Sequence, residues 1–501
     1  MAKYKRYDYS QSVLLPVSLG EQLVPGTLEF AIHTLVDRRM DMSVFDDNYQ
    51  NDDTGRSAYD PKILLKVVLL GYSRGLTSSR DIERACLENV LFMALSCYQR
   101  PDHSSSAACV SSMKDQIKLL FTDILLVCDQ EGLLGGSFFA IDGCKLSSNA
   151  SKEWSGKISD LKKKKAKIEV KLTALVEDHI EIDKEEQAVK QKMSARREKQ
   201  IKRLEQQAAK IEKWLSENDK KIGVNKKELH SNVTDNDSAK MHTSHGTVQG
   251  YNAQAIVDSK HQVSVHGKAI GKGLDNDNLP PVVDGAKENL ESIGKSKDYF
   301  KGKILTADSS YHSVTNLTKC NEEKLDAYIP DNKFRNRDKR FASRVGYRPR
   351  SKKFTFADFQ YDRNTDEYIC PNGRRLKPLV KAGRHKGKLL KVYRSSEKEC
   401  KLCQLRAKCL RNKDARRRHL SYYADASGQN ISQAMVKKIE TQKGRKIYPQ
   451  RIAIVEPVFA NIRVHKRMDK FNLRGKIKVN IQWLLYCMVH NIEKVANYGF
   501  A

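Results

Sequence analysis

Apolar and polar positions alternate with three different rhythms along this chain of 501 residues, and each change of rhythm marks a new segment. Residues 1–135 carry helical spacing. In PKILLKVVLLGYSRG, Pro61 suits a first helical turn, and Gly71 and Gly75 suit its end. Ser79 is placed to cap a second helix, SRDIERACLENVLFMALS. PDHSSS (101–106) reads as a link to a third, SSMKDQIKLLFTDILLVCDQEGLL. Three helices on short links suit a small bundle, either DNA-binding or a plain packing or oligomerisation unit. SFFAIDG (137–143) then predicts a buried strand ending at Asp142, bounded by Gly136 and Gly143.

Residues 152–222 are Lys/Glu-rich, without Pro and with Gly156 as the lone glycine. Leu161, Ile168, Leu172 and Leu175 recur at heptad-like spacing. Ile201, Leu204, Ala208, Ile211 and Leu215 follow in steps of 3, 4, 3 and 4. The polar stretch Asp178 to Glu186 between them predicts a hairpin of two long antiparallel helices.

Residues 247–330 change to alternating strands and helices. TVQGYNAQAIVD and HQVSVHGKAI predict adjacent antiparallel strands around a DSKH turn. DNDNLPPVVDGAKENL predicts a loop and a helix. KILTADSSY (303–311) predicts a strand ending at Asp308, YHSVTNLTKCNEEK a helix, and DAYIPDN (326–332) another strand. Residues 331–445 interrupt this order. From Arg451 onward the pattern is helical again, closing on IQWLLYCMVHNIEKVANY.

Charge narrows the partners. Lys and Arg number 91 and Asp and Glu 61, a formal net charge of +30. Such an excess points to a polyanion, above all nucleic acid. The cations are spread along the chain and not gathered on one amphipathic helix, which disfavours a membrane surface. No apolar run approaches the ~18–20 residues of a membrane span. MAKYKRYDYS lacks the apolar region of an export signal, so a cytoplasmic, nucleoid-associated protein is expected. Eleven Cys in that setting favour free thiols or metal ligands over disulfides.

Three acids carry candidate chemistry. Asp142 and Asp308 each close a short apolar strand. Glu456 lies in YPQRIAIVEPVFANIR with Tyr448, Arg451 and Arg463, and helical spacing puts Glu456, Phe459 and Arg463 on one face. Three carboxylates suit Mg²⁺ or Mn²⁺. Two such ions about 3.5–4 Å apart serve phosphoryl transfer. Cys370, Cys400, Cys403 and Cys409, with a C-x2-C pair at their centre, fit a structural Zn²⁺ site. The surrounding cations, Arg374, Arg375, Lys377, Arg384, Lys386, Lys388, Arg406, Lys408, Arg411, Arg416, Arg417 and Arg418, attract DNA. Cys86, Cys97, Cys109, Cys128 and Cys487 read as core residues. His242 and His245 read as loop residues. No GxxxxGK[ST] loop is present.

The order of these motifs resembles the DDE transposases of bacterial insertion sequences, with their ribonuclease-H-like core. FAIDG resembles the first-Asp strand and TADSSYHSVTNL the second-Asp motif. Tyr448-x2-Arg451, Glu456 and x6-Arg463 resemble the Tyr-Arg-Glu-Lys signature. GYNAQAIVD with NDNLPPVV resembles the strands between the two aspartates. AYDPKILLKVVLLGYSRGLTSSRDIERACLENVLFMAL with PDHSS is similar to the helical domain that precedes this core in one subgroup. Four residues separate Arg451 from Glu456 where the signature has three. Arg463 stands where Lys is usual, and Ser310 where Gly is usual.

The resemblance implies an α/β fold: a helical DNA-binding domain (1–135), a ribonuclease-H-like core assembled from 136–150, 231–330 and 446–501, a coiled-coil insertion (151–230) and a basic Cys-rich insertion (331–445). It also implies metal-dependent cleavage and strand transfer at element ends, with Asp142, Asp308 and Glu456 as metal ligands. Tyr448, Arg451 and Arg463 would hold double-stranded DNA, with Lys466 and Arg467 extending the phosphate track. A synaptic homodimer follows from pairing two ends. The alternatives are an inactive DNA-binding protein of the same fold and a standalone metal-dependent nuclease.

Overall fold

The computed structural model describes residues 18–48, 58–182, 187–223, 227–243, 246–343, 353–379, 383–385, 388–410, 412, 414–423 and 426–499. The described residues up to Gln130 fold into helices and their links. Thr27 caps α1 (Leu28–Arg38) by accepting the Phe30 N–H. Asp60 caps α2 (Pro61–Ser73) by accepting the Lys62 N–H, with Pro61 in the first turn. The expected second helix divides in two. Asn89 ends α3 (Ser79–Glu88) and opens α4 (Val90–Leu95), its side chain accepting the Leu91 N–H. Ser78, not Ser79, occupies the cap position of α3. The expected link at 101–106 is itself helical. Asp102 accepts the Ser105 N–H and starts α5 (His103–Ser112), ahead of α6 (Gln116–Gln130). Asp and Asn side chains satisfy free helix-start amides, and that local gain placed these breaks.

The chain then enters a mixed sheet. Its strands are β1 (Phe138–Ser147), β2 (Ala239–Thr243), β3 (Gly246–Asp258), β4 (Ser264–Ile270), β5 (Ile304–Ala307) and β6 (Asp326–Tyr328). The order is β2-β3-β1-β5-β6, with β4 also on β3. β1 is antiparallel to β3, β3 antiparallel to β4, and β1 is parallel to β5, as β5 is to β6. β1 does not stop at Asp142. The long partner β3 keeps it paired to Ser147, opposite Gly250, so Asp142 lies mid-strand. The DSKH turn and the helices α9 (Leu279–Ser292) and α10 (Val314–Glu322) fall where the pattern places them.

Between β1 and β2 stand α7 (Ile158–Ile182) and α8 (Gln187–Glu217). They pack on each other through Leu161, Ile168, Ala208, Ile211 and Trp214, and Lys165 bonds Glu212 at 2.9 Å. The hairpin's polar tip is only partly covered, because residues 183–186 lie outside the described set.

A second sheet holds β7 (Gln360–Asp362), β8 (Glu367–Ile369), β9 (Arg375–Pro378), β10 (Gly383–His385), β11 (Lys388–Ser395) and β12 (His419–Tyr423), in the order β10-β11-β9-β8-β7 with β12 on β11. It buries its own small core of Phe359, Tyr368, Leu376, Tyr393 and Leu420. After α11 (Ala426–Glu440) come α12 (Gln450–Ala460) and α13 (Lys476–Tyr498). α13 is the shared strut. It packs on β4, α6 and α2, and Tyr486 stacks on Tyr72 at 4.5 Å. Helical unit and sheet therefore share one core. Among the described residues, no helix is long and apolar enough to cross a membrane. Cys86, Cys109, Cys128 and Cys487 are buried as expected. Cys97 is exposed, at a turn with φ +49°.

Candidate active site

Parallel pairing brings the two aspartates together. The β1–β5 register runs from Phe138 opposite Ile304 to Ile141 opposite Ala307, so Asp142 and Asp308 follow on adjacent strands. Asp308 leaves β5 and caps a short 3-10 turn. Its Oδ1 accepts the Ser310 N–H at 2.8 Å and the Ser310 hydroxyl at 2.6 Å. Asp142 Oδ1 accepts the Gly143 N–H at 2.8 Å.

The third acid arrives on α12. Arg451, one turn before it, is nearly buried and donates from one terminal nitrogen to Asp142 Oδ2 at 2.5 Å. The other terminal nitrogen lies 3.9 Å from Glu456 Oε1. The guanidinium therefore bridges the first and third acids, which are 456−142=314 residues apart in sequence. Its Nε has no hydrogen-bond partner among the described residues. The Glu456 side chain is 57% exposed. Burial pushes the Asp142 carboxyl up to about 6, against the opposing pull of Arg451 and the Gly143 N–H, and Asp308 adds to the rise.

Among the described residues no group of three or more His, Cys, Asp or Glu is arranged to hold a metal ion. Beside Asp142 and Glu456 the positive charge is that of Arg451. The donor set of carboxylate oxygens is of the kind that fits a hard divalent cation.

Tyr448 is half-buried, its ring edge-on to Phe334 at 5.5 Å. Arg463 is exposed, on a π-helical turn (Asn461–His465) that prolongs α12. Two expectations fail. Phe459 does not share the face of Glu456 and Arg463, because it is buried against Trp483. Lys466 is not on a phosphate track. It is 0% exposed, and its Nζ bonds Glu493 Oε2 at 2.6 Å and Asn461 Oδ1 at 2.8 Å. A missing acid also emerges: Asp275, in the DNDN loop, lies against Ser310. Its run of polar residues carried no periodic signal.

Comparison with family models supports the same reading. Residues 18–110 match a transposase domain model (DUF772), and residues 369–496 match the transposase DDE domain model. The chain belongs to the DDE transposases. The second match spans Tyr448, Arg451, Glu456, Arg463 and the four clustered cysteines, while Asp142 and Asp308 lie before it. No curated protein and no solved structure gives a match.

In this transposase the four thiols line one small cavity of about 30 Å³. Cys370 Sγ accepts the Arg374 N–H at 3.3 Å, in a tight turn whose Gly373 has φ +72°. Cys403 Sγ accepts from Asn372 Nδ2 at 3.5 Å, and Cys400 Sγ lies 3.0 Å from Ser395 Oγ. Burial pushes the Cys409 thiol up, and the three neighbouring thiols push it the same way. The thiols face one space but do not converge as a finished metal cage.

One face of the same sheet is basic. Lys377 lies opposite Arg394, and Arg394 opposite His419, across three strands. All three are exposed. Lys377 and Arg394 are like charges directly opposite each other, which destabilises a sheet, so this pair favours an anion laid across it. Of the other expected cations, Lys386 and Arg411 lie outside the described residues, and the side chains of Arg384 and Lys388 are not described.

Proposed function

We propose that this transposase cleaves phosphodiesters at the ends of its element and joins the freed ends to target DNA, using Asp142, Asp308 and Glu456 with divalent Mg²⁺ or Mn²⁺. The observation that carries the proposal is that Arg451 joins Asp142 to Glu456 while the parallel β1–β5 register brings Asp308 in on the strand beside Asp142. The sheet order β4-β3-β1-β5-β6, with three antiparallel strands followed by two parallel ones, supports a ribonuclease-H-like core. It supports the inserted hairpin and the Cys-rich sheet as additions to that core.

The residues have separate tasks. Asp142 is held on a rigid mid-strand position and Asp308 on a capped turn, so both carboxylates are preorganised. Glu456 is exposed and closes the set from the helix side. Bound ions supply Lewis-acid activation of the phosphate and of the attacking oxygen. Arg451 neutralises Asp142 in the resting chain. Arg451, Arg463 and Tyr448 would hold a DNA phosphate beside the acids. The row of Lys377, Arg394 and His419 would extend the phosphate contacts. A structural Zn²⁺ would be held by Cys370, Cys400, Cys403 and Cys409, as the shared cavity and the N–H···S bonds suggest. Pairing of two ends implies a homodimer.

The test incubates the purified chain with duplex DNA carrying its element's end, a target plasmid and Mg²⁺, and compares it with Asp142→Asn. Cleavage and joining are expected in the parent and neither in the variant. Cleavage that survives Asp142→Asn refutes the site, and cleavage without joining makes the protein a nuclease.

A further inference from the structure

Ser310 stands between two carboxylates. Its Oγ lies 2.6 Å from Asp308 Oδ1 and 2.8 Å from Asp275 Oδ2. A serine hydroxyl carries one proton, so it donates to one of them at a time.

Asp275 is otherwise fully engaged. Its Oδ1 accepts from Asn252 Nδ2 at 2.6 Å, from Gln254 Nε2 at 3.0 Å and from Asn278 Nδ2 at 3.2 Å. Asn316 Nδ2 bonds its backbone carbonyl at 2.9 Å. Among the described residues no cation makes a salt bridge with it, so neutral amides hold the charge. Asn252 and Gln254 come from β3, where Gln254 is paired with Gly143. A Cβ on Gly143 would sit 2.0 Å from Gln254 Nε2, so the residue after Asp142 is kept bare by the same amide that holds Asp275. The Tyr311 hydroxyl bonds the other end of Gln254. One hydrogen-bonded frame thus joins the neighbours of Asp142 to the neighbours of Asp308.

We propose that Asp275 is a positioning residue for Asp308: it takes over the Ser310 hydroxyl when Asp308 turns to a divalent cation. This rests on the reading of Asp308 as a metal ligand. In the resting chain Ser310 donates to Asp308 and steadies it. A carboxylate that binds a cation gives up lone-pair density, and the serine donor must go elsewhere or be left unpaired at a cost. Asp275 Oδ2, 2.8 Å away, is the waiting acceptor. The exchange needs only rotation of one hydroxyl.

The isosteric variant Asp275→Asn tests this directly. Its amide oxygen can still accept from Asn252, Gln254 and Asn278. The atom facing Ser310 changes from acceptor to donor, and this forces the Ser310 proton onto Asp308. Binding of Mn²⁺ alone is followed by the loss of the free-ion paramagnetic resonance signal, with cleavage of end DNA measured in parallel. In Asp275→Asn the half-saturating Mn²⁺ concentration should rise about 10–100-fold, as for other outer partners of metal ligands. Ser310→Ala should stay within about fivefold of the parent, the worth of one net hydrogen bond. Asp275→Asn/Ser310→Ala should return to that same range, because no hydroxyl remains to be misdirected.

Parental Mn²⁺ binding in Asp275→Asn would overturn the proposal. So would a double variant as weak as Asp275→Asn, since that marks a merely structural role. Should Asp275→Asn fail to fold, Ser310→Ala decides alone: a weakening beyond tenfold overturns the exchange. If Asp142→Asn keeps parental Mn²⁺ binding and cleavage, the site reading fails, and the exchange with it. If Asp142→Asn abolishes both while Asp275→Asn is silent, only the role of Asp275 fails.

Discussion

Replacing Lys466 with Ala should destabilise the protein without weakening its grip on DNA. Lys466 is fully buried beneath the π-helical turn, with its ammonium 2.6 Å from Glu493 and 2.8 Å from Asn461. Removing one partner of a buried ion pair costs about 3–5 kcal/mol, because the other charge is left unsatisfied. Glu493 keeps 24% of its side-chain surface, so it can rehydrate in part and the loss falls near the lower end, about 3 kcal/mol. That is roughly a hundredfold in the folding equilibrium. Lys466→Met/Glu493→Gln should recover much of the loss, since neither group is then charged. The assay is denaturant unfolding followed by fluorescence that includes Trp483, which is buried close to this junction against Phe459. DNA affinity is measured over a salt series alongside. The reasoning is refuted if the unfolding midpoint of Lys466→Ala matches the parent while the slope of log affinity against log salt falls by about 0.9, the signature of one lost phosphate contact.

Three further outcomes are expected. Lys377→Glu/Arg394→Glu should weaken duplex binding and flatten the salt slope by about 1.8, two phosphate contacts' worth, and an unchanged slope would remove this sheet face from the DNA path. Burial pushes His266 and His490 down to about 3, so both stay neutral in the fold while the unfolded chain takes up protons below about 6.5. Their folded values are depressed, so stability is full above 6.5 and is lost as pH falls toward 3. Near pH 5 the loss is about 2 kcal/mol for each, and unfolding midpoints at pH 7 and 5 that coincide would contradict it. Cys403→Ser should release bound zinc and melt the second sheet, read by metal analysis and by proteolysis. A parent that carries no zinc as purified would end the Cys₄ proposal.

Much of this transposase was legible in its order of residues. Strand and helix periods from 247 to 330 needed no tertiary information, because alternation there reports one buried sheet face and one buried helix stripe. The hairpin was equally plain, since its contacts are made between the two helices themselves. Local rules went astray where a single polar side chain outweighed the period, as Asn89 and Asp102 did by capping helices inside segments read as continuous or as links.

The three candidate acids were likewise picked out from sequence, since each sits in a recognisable run. Their meeting was not. Asp142 and Asp308 become neighbours only through the parallel β1–β5 register, and Arg451 reaches Asp142 across 451−142=309 residues. Sequence also left open which cations face solvent. Lys466 and Arg463 look alike in the chain, yet one is buried under an ion pair and the other is exposed, because a π turn and the packing of α13 decide which way each points. Asp275 was invisible for the same reason. Its role lies in four hydrogen bonds from β3, the Asp308 turn and its own loop, and such convergence is written in no periodicity.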